Sequence, residues 1–102
     1  MLKKFVVGTT SKSTLTVDSS IIEGFAELSG DKNPIHLDPA AAKSYGYPRQ
    51  VAHGVLLTSL FSKMIGMDMP GPGALLLNHS AEWLSPVYVG DQVAMQLSLI
   101  HI

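Results

Sequence analysis

The run VAHGVLLTSLFSKMIGM, residues 51–67, holds Lys63 as its only formally charged side chain. A helix that is apolar almost all round has to be covered almost all round. The stretch therefore predicts a central helix buried by the rest of the chain. Met69-Pro70-Gly71-Pro72-Gly73 breaks it, since proline lacks the backbone donor a helix needs. Two further apolar stretches follow, 74–84 and 87–102, separated by Ser85-Pro86 and interrupted at Gly90-Asp91. Val93, Met95, Leu97 and Leu99 alternate with Ala94, Gln96, Ser98 and Ile100, which is strand periodicity.

Working back from the central run, residues 45–50 read as a loop around Gly46 and Pro48. Pro39 with Asp38 before it marks a short helix through the alanines to Ser44, because a proline at the first helical position lacks only a donor that would be orphaned anyway. Residues 30–39 are dense in turn formers, with Ile35 and Leu37 as their only apolar side chains besides the prolines. Ile21, Ile22, Phe25, Ala26 and Leu28 recur at helical spacing and Gly30 stops the pattern, so residues 19–29 form an amphipathic helix. Asp18, Ser19 and Ser20 are candidate N-caps, and Ser20 with Glu23 has capping-box spacing. Residues 3–17 carry Thr and Val in loose alternation and predict one or two short strands. The order of elements is strand, helices, buried helix, strands. It predicts a single α+β domain over 1–102, an antiparallel sheet wrapped around a central helix.

Composition narrows the function. A chain of 102 residues with 46% hydrophobic content is apolar for its size, and part of that surface is expected to meet another subunit. A net charge of −1, with seven scattered cationic residues, offers no basic face for nucleic acid. Cysteine is absent, which removes disulfides, thiolate metal sites and thiol nucleophiles together. The apolar run Phe5-Val6-Val7 is too short for a signal-peptide core, and nowhere do the roughly eighteen apolar residues of a membrane span run together. The expected setting is soluble and cytoplasmic. Lys3 and Lys4 read as a solvated end, Met64, Met67 and Met69 as core or acyl-pocket filler, and Gly71 and Gly73 are too few for a nucleotide loop.

The chemistry lies in AELSGDKNPIHLDP, residues 26–39. Asp31 and His36 are five residues apart in a turn stiffened by Gly30, Asn33 and Pro34. A histidine titrates near neutrality, and a neighbouring carboxylate can orient its ring. Held rigidly before substrate arrives, such a pair can bind one water, take a proton from it and return one to a substrate carbon. His53, before Gly54 at a helix start, reads as a capping or packing residue, and His79 and His101 as structural or exposed. None of the histidines has metal-ligand spacing, so no metal is expected.

The same run resembles the hydratase signature of the MaoC-like family: a helix ending in Ser-Gly-Asp, then Asn-Pro, then an apolar residue and His. Ala52-His53-Gly54 before Val55-Leu56-Leu57 resembles the start of that family's central helix. Pro70-Gly71-Pro72-Gly73 resembles the turn after it, and Ser85-Pro86-Val87-Tyr88-Val89-Gly90-Asp91 the lead into a late strand. Four motifs in register over about residues 15–96 make the resemblance specific. It implies a hot-dog fold and a hydro-lyase adding water to a trans-2-enoyl-CoA to give an (R)-3-hydroxyacyl-CoA. Asp31 and His36 would be the catalytic dyad, Gly54 a backbone donor to the thioester oxygen, Asn33 a loop-shaping group and Ser62 a secondary hydroxyl. No cofactor is implied, because the thioester itself acidifies the α-proton. A homodimer is implied, and acyl carrier protein thioesters are the alternative substrate. Family members continue with further strands beyond the one starting near Gln92, so the C-terminal strands are expected to be incomplete. An inactive, truncated interaction module is the non-enzymatic alternative.

Overall fold

The computed structural model describes residues 5–101, so the expectations for Lys3 and Lys4 lie outside the described residues. β1 (Thr10–Thr16) is antiparallel to β2 (Gln92–Ser98), with Thr10 opposite Ser98 and Thr16 opposite Gln92. The pair runs on through Gly8 N–H to Leu99 C=O at 2.7 Å and Leu99 N–H to Thr9 C=O at 3.0 Å. In both strands every second residue is half-buried and the rest are exposed, so one face packs on the helices and the other meets solvent.

α1 (Ser19–Ser29) has the predicted bounds, and of the three candidate caps Asp18 is the one used. Asp18, not Ser20, accepts from the Ile21 N–H at 3.0 Å, while the Ser20 hydroxyl donates to Asp18 at 2.8 Å. The Ser20–Glu23 capping box is therefore not formed, because Ser20 already lies inside the first turn. Those two donors, the Ile21 N–H first and the Ser20 hydroxyl second, hold the Asp18 carboxyl below its ordinary value of 3.8. Gly30 closes the helix in the left-handed region, φ 78°, a conformation glycine adopts without steric cost. Leu28, counted on the apolar face by spacing, is exposed instead.

α2 (Pro34–Leu37) was not expected, since its segment reads as turn formers only. Asn33 caps it by accepting from the Ile35 N–H, and Pro34 occupies the first turn. α3 (Pro39–Ser44) follows with the predicted Asp38 cap, whose carboxylate accepts from the Ala40 N–H at 3.0 Å.

The central helix starts later and is less covered than the sequence predicts. Residues 51–53 are extended, α4 spans Gly54–Ser59 and α5 spans Phe61–Lys63. Leu60 between them keeps helical angles (φ −64°, ψ −23°), and a π-helical turn, Met64–Asp68, completes the rod. Leu56 and Met64 are buried, whereas Val55, Ser62, Lys63 and Met67 are exposed. The physical reason is the sheet: a single two-stranded layer covers one face of a helix, not its circumference.

The core joins Val17, Ile22, Ala52 and Leu56, flanked by Ile21, Phe25, Leu37, Leu57, Leu60, Val87, Val89 and Val93. Burying side chains such as Ile22 contributes about 1.5–3 kcal/mol each. Residues 74–84, expected as strand, are irregular, with Leu75, Leu76, Leu77 and Leu84 facing solvent. Among the described residues no strand lies beside them to complete a ladder. The radius of gyration, 15.8 Å, exceeds the ~13 Å expected for a closed domain of about this length, in keeping with a fold open on one side.

Candidate active site

Asp31 begins as the residue after a helix stop. Its N–H donates to the Ser29 hydroxyl at 3.1 Å, and its carboxylate Oδ1 accepts from the Asn33 N–H at 3.2 Å. Asn33 in turn caps α2, so Asp31 and His36 are tied through one short chain of Asx turns. The His36 N–H donates to the Asn33 carbonyl at 2.9 Å, which places the ring on the inner side of α2.

Long-range bonds then lock that short helix. Val51 N–H donates to the Ile35 carbonyl at 3.0 Å, and Gln50 Nε2 donates to the His36 carbonyl at 2.9 Å. The Val51 carbonyl lies 2.6 Å from His36 Nδ1. A carbonyl only accepts, so Nδ1 carries the hydrogen, and in the neutral ring Nε2 is the bare nitrogen. Residues 50–52 are held from the other side by Ala52 N–H to Val87 C=O at 2.7 Å and Val89 N–H to Gln50 C=O at 2.9 Å. The turn carrying Val87 to Asp91 is fixed by Asp91, which accepts from the Tyr88 N–H at 2.9 Å and from Arg49 at 2.8 Å. The Tyr88 N–H holds the Asp91 carboxyl below 3.8 against the opposing effect of desolvation, and the Arg49 guanidinium adds to the lowering.

The result is an asymmetric pair. His36 is buried at 7% exposure and its Nε2 faces the Asp31 Oδ2 across 3.7 Å, while the Asp31 side chain is 52% exposed. That gap is too long for a direct hydrogen bond. It suits two acceptors sharing one water, which donates a hydrogen to each.

His53, read as a capping or packing residue, makes no cap to α4. It is buried at 2% exposure, its ring stacks on His36 at 3.8 Å with an interplanar angle of 25°, and its Nε2 meets the Asp31 carbonyl at 2.9 Å. Asp31, His36 and His53 each place one ligand-type atom within 4.8 Å of the others. A cation would need their lone pairs to converge. The two imidazoles instead lie face to face at 3.8 Å and 25°, so the lone pairs in their ring planes run side by side and do not converge on one point. The sequence signal for His53 was its place beside Gly54; nothing in the spacing pointed back to residue 31.

Gly54 opens α4, where backbone N–H groups lack intrahelical partners. It lines a cavity of about 350 Å³ with Tyr47, Leu57, Trp83 and Val87. The Trp83 indole donates to the Gly54 carbonyl at 2.8 Å, and a Cβ at position 54 would sit 3.0 Å from Nε1. Only glycine fits under that ring without movement. Ser62 is not brought to this site: it is exposed on α5 and lines a separate groove with Val55, Phe61, Leu76, His79 and Leu97.

An antiparallel sheet packed on a helix, with an Asp–His pair at the helix approach, defines a protein of the hot-dog class. The family comparison is specific: the model of the MaoC like domain matches residues 5–101, and the chain belongs to the MaoC-like family. It is 39% identical over 93 residues to the (R)-specific enoyl-CoA hydratase of Aeromonas caviae, covering 91% of this chain and 69% of that protein. It is 37% identical over 87 residues to the mitochondrial 3-hydroxyacyl-[acyl-carrier-protein] dehydratase of Arabidopsis thaliana, covering 85% of this chain and 51% of that protein. The solved (R)-hydratase from A. caviae involved in PHA biosynthesis superposes with a TM-score of 0.94 at 36% identity, over 98% of this chain and 76% of that one. The chain thus spans about half to two thirds of the length of these curated relatives. Its relatives are hydratases and dehydratases of acyl thioesters, which are lyases. Among the described residues no helix is long and apolar enough to cross a membrane.

Proposed function

We propose that this chain is the catalytic part of an (R)-specific enoyl-CoA hydratase, reversibly adding water to a trans-2-enoyl-CoA. The observation that carries the reading is the 3.7 Å gap between His36 Nε2 and Asp31 Oδ2, with His36 Nδ1 tied to the Val51 carbonyl. A water held between the two acceptors loses a proton to the dyad as its oxygen bonds C3 of the enoyl group. The electron pair moves through C2 to the thioester oxygen, and a proton returned from the dyad to C2 completes the (R)-3-hydroxyacyl product. Addition and return from one side give syn stereochemistry. Gly54 N–H, at the positive end of the central rod, is the donor for the enolate-like oxygen. Asn33 acts by folding the loop; Ser62 has no part in the chemistry of a single chain.

The carrier in this reading is coenzyme A; the alternative carrier is the acyl carrier protein, which the likeness to the plant dehydratase supports. The chain pairs as a homodimer, supported by the exposed Leu75, Leu76, Leu77 and Leu84. The compartment that goes with this reading is the cytoplasm. The test is the loss of enoyl-thioester absorbance when crotonyl-CoA is added to the folded protein. Steady loss that disappears in His36→Gln supports the reading. A folded parent with no turnover, or release of free thiol in place of hydration, overturns it.

A further inference from the structure

His53 contacts both members of the dyad, and neither packing nor capping explains it. A leucine or phenylalanine would fill the same buried space without a polar cost. Instead the site buries a ring whose Nδ1 has no hydrogen-bond partner, an omission that costs about 1–3 kcal/mol. A buried group left unsatisfied calls for a compensating role. The other nitrogen supplies it. Nε2 lies 2.9 Å from the Asp31 carbonyl, an acceptor, so Nε2 carries the hydrogen and the bare Nδ1 follows from that tautomer.

We propose that His53 is the positioning residue of this site, fixing Asp31 through its carbonyl and His36 through its ring face. Asp31 is then held at three points: its N–H by the Ser29 hydroxyl, its Oδ1 by the Asn33 N–H and its carbonyl by His53. Oδ2 is the one group left to face His36. On the other side, the His36 ring is clamped between its Nδ1 bond to Val51 and the His53 face at 3.8 Å. The His53 ring is itself braced edge-on by Phe25 of α1, at 4.9 Å and 61°. Because His53 directly precedes Gly54, one residue sets the dyad and the helix start against each other. The role rests on the hydration reading, since the placement matters only if the dyad shares a water.

The test uses the full chain, crotonyl-CoA kinetics and ¹⁵N NMR of the histidine rings. The parent is expected to show His53 with hydrogen on Nε2 and His36 with hydrogen on Nδ1. His53→Phe keeps a flat ring but removes the donor. It is expected to lower kcat on the order of 100-fold with KM within about threefold, since misplacement by an ångström costs that much. His53→Gln, which restores an N–H donor, is expected to recover about tenfold of the loss. In His53→Phe the His36 Nε2 resonance moves while the ring stays an Nδ1–H tautomer. Parent-like kcat in a folded His53→Phe overturns the proposal. So does a parent His53 with hydrogen on Nδ1, a result that needs no variant to fold. If the parent shows both tautomers but never turns over crotonyl-CoA, the hydration reading fails and the positioning role of His53 falls with it, whereas loss confined to the variants supports both.

Discussion

Residues 30–38 and residues 74–84 are comparable in length and opposite in how they fold. In the first, nearly every polar group finds a partner a few residues away: Asp31 on Ser29, Asn33 on Asp31, Ile35 and His36 on Asn33, Asp38 on Pro34. The second is richer in leucine, yet Leu77 is 86% and Leu84 87% exposed. Its backbone joins no strand; Trp83 reaching the Gly54 carbonyl is a side-chain tether, not a ladder. Turn chemistry is satisfied locally, so it shapes the chain wherever it occurs. A strand is satisfied only by a neighbour, so apolar content without a neighbour yields an exposed ribbon.

The contrast can be broken at its strong end first. Asp31→Asn keeps the turn acceptor but removes the negative charge that shares the water with His36, and crotonyl-CoA hydration is expected to fall about 10²–10⁴-fold with little change in melting temperature. A parent-like rate would separate the loop's order from its chemistry. Asn33→Ala removes the α2 cap and is expected to cost about 1 kcal/mol in urea unfolding. Hydration should fall with it, since α2 carries His36; unchanged stability and rate would show that the clamp from residues 50–51 suffices alone.

A smaller effect comes from acid. Asp18 and Asp91 have folded-state carboxyls held below 3.8 by backbone and side-chain donors. Their contribution is present above that value and is lost as pH falls through the lowered folded ones. The urea midpoint should therefore drop on going from about pH 6 to about pH 3, and less so in an Asp18→Asn, Asp91→Asn double variant. An equal drop in both proteins would place the acid sensitivity elsewhere. Least is expected at the weak end. Leu77→Ser should change the stability of the single chain by no more than about 0.5 kcal/mol. Its effect belongs to association, and sedimentation velocity should show weaker pairing; unchanged pairing would remove this ribbon from the interface.

How far the sequence reached follows the same division. The bounds of α1 and α3, the Asp38 cap and the Gly30 stop were legible, because caps and stops are local. So was the Asp31–His36 pair, and with it the family. α2 was not, since a four-residue helix has no periodicity to detect and is held by Val51 and Gln50, far away in sequence. The buried helix was overextended: apolar content said that residues 51–67 wanted cover, not that the two strands cover one side of them.

The sequence by itself determined the turn that carries the dyad, the α+β order and the chemistry those residue types allow, because each depends on neighbours within a few positions. Only the tertiary structure decided that His36 presents Nε2 and not Nδ1 to Asp31, since the Val51 carbonyl takes the other nitrogen. The fold alone also brought His53 against both, and left Ser62 on a different face. These outcomes depend on which distant groups meet, and a proton on an imidazole goes where an acceptor is waiting.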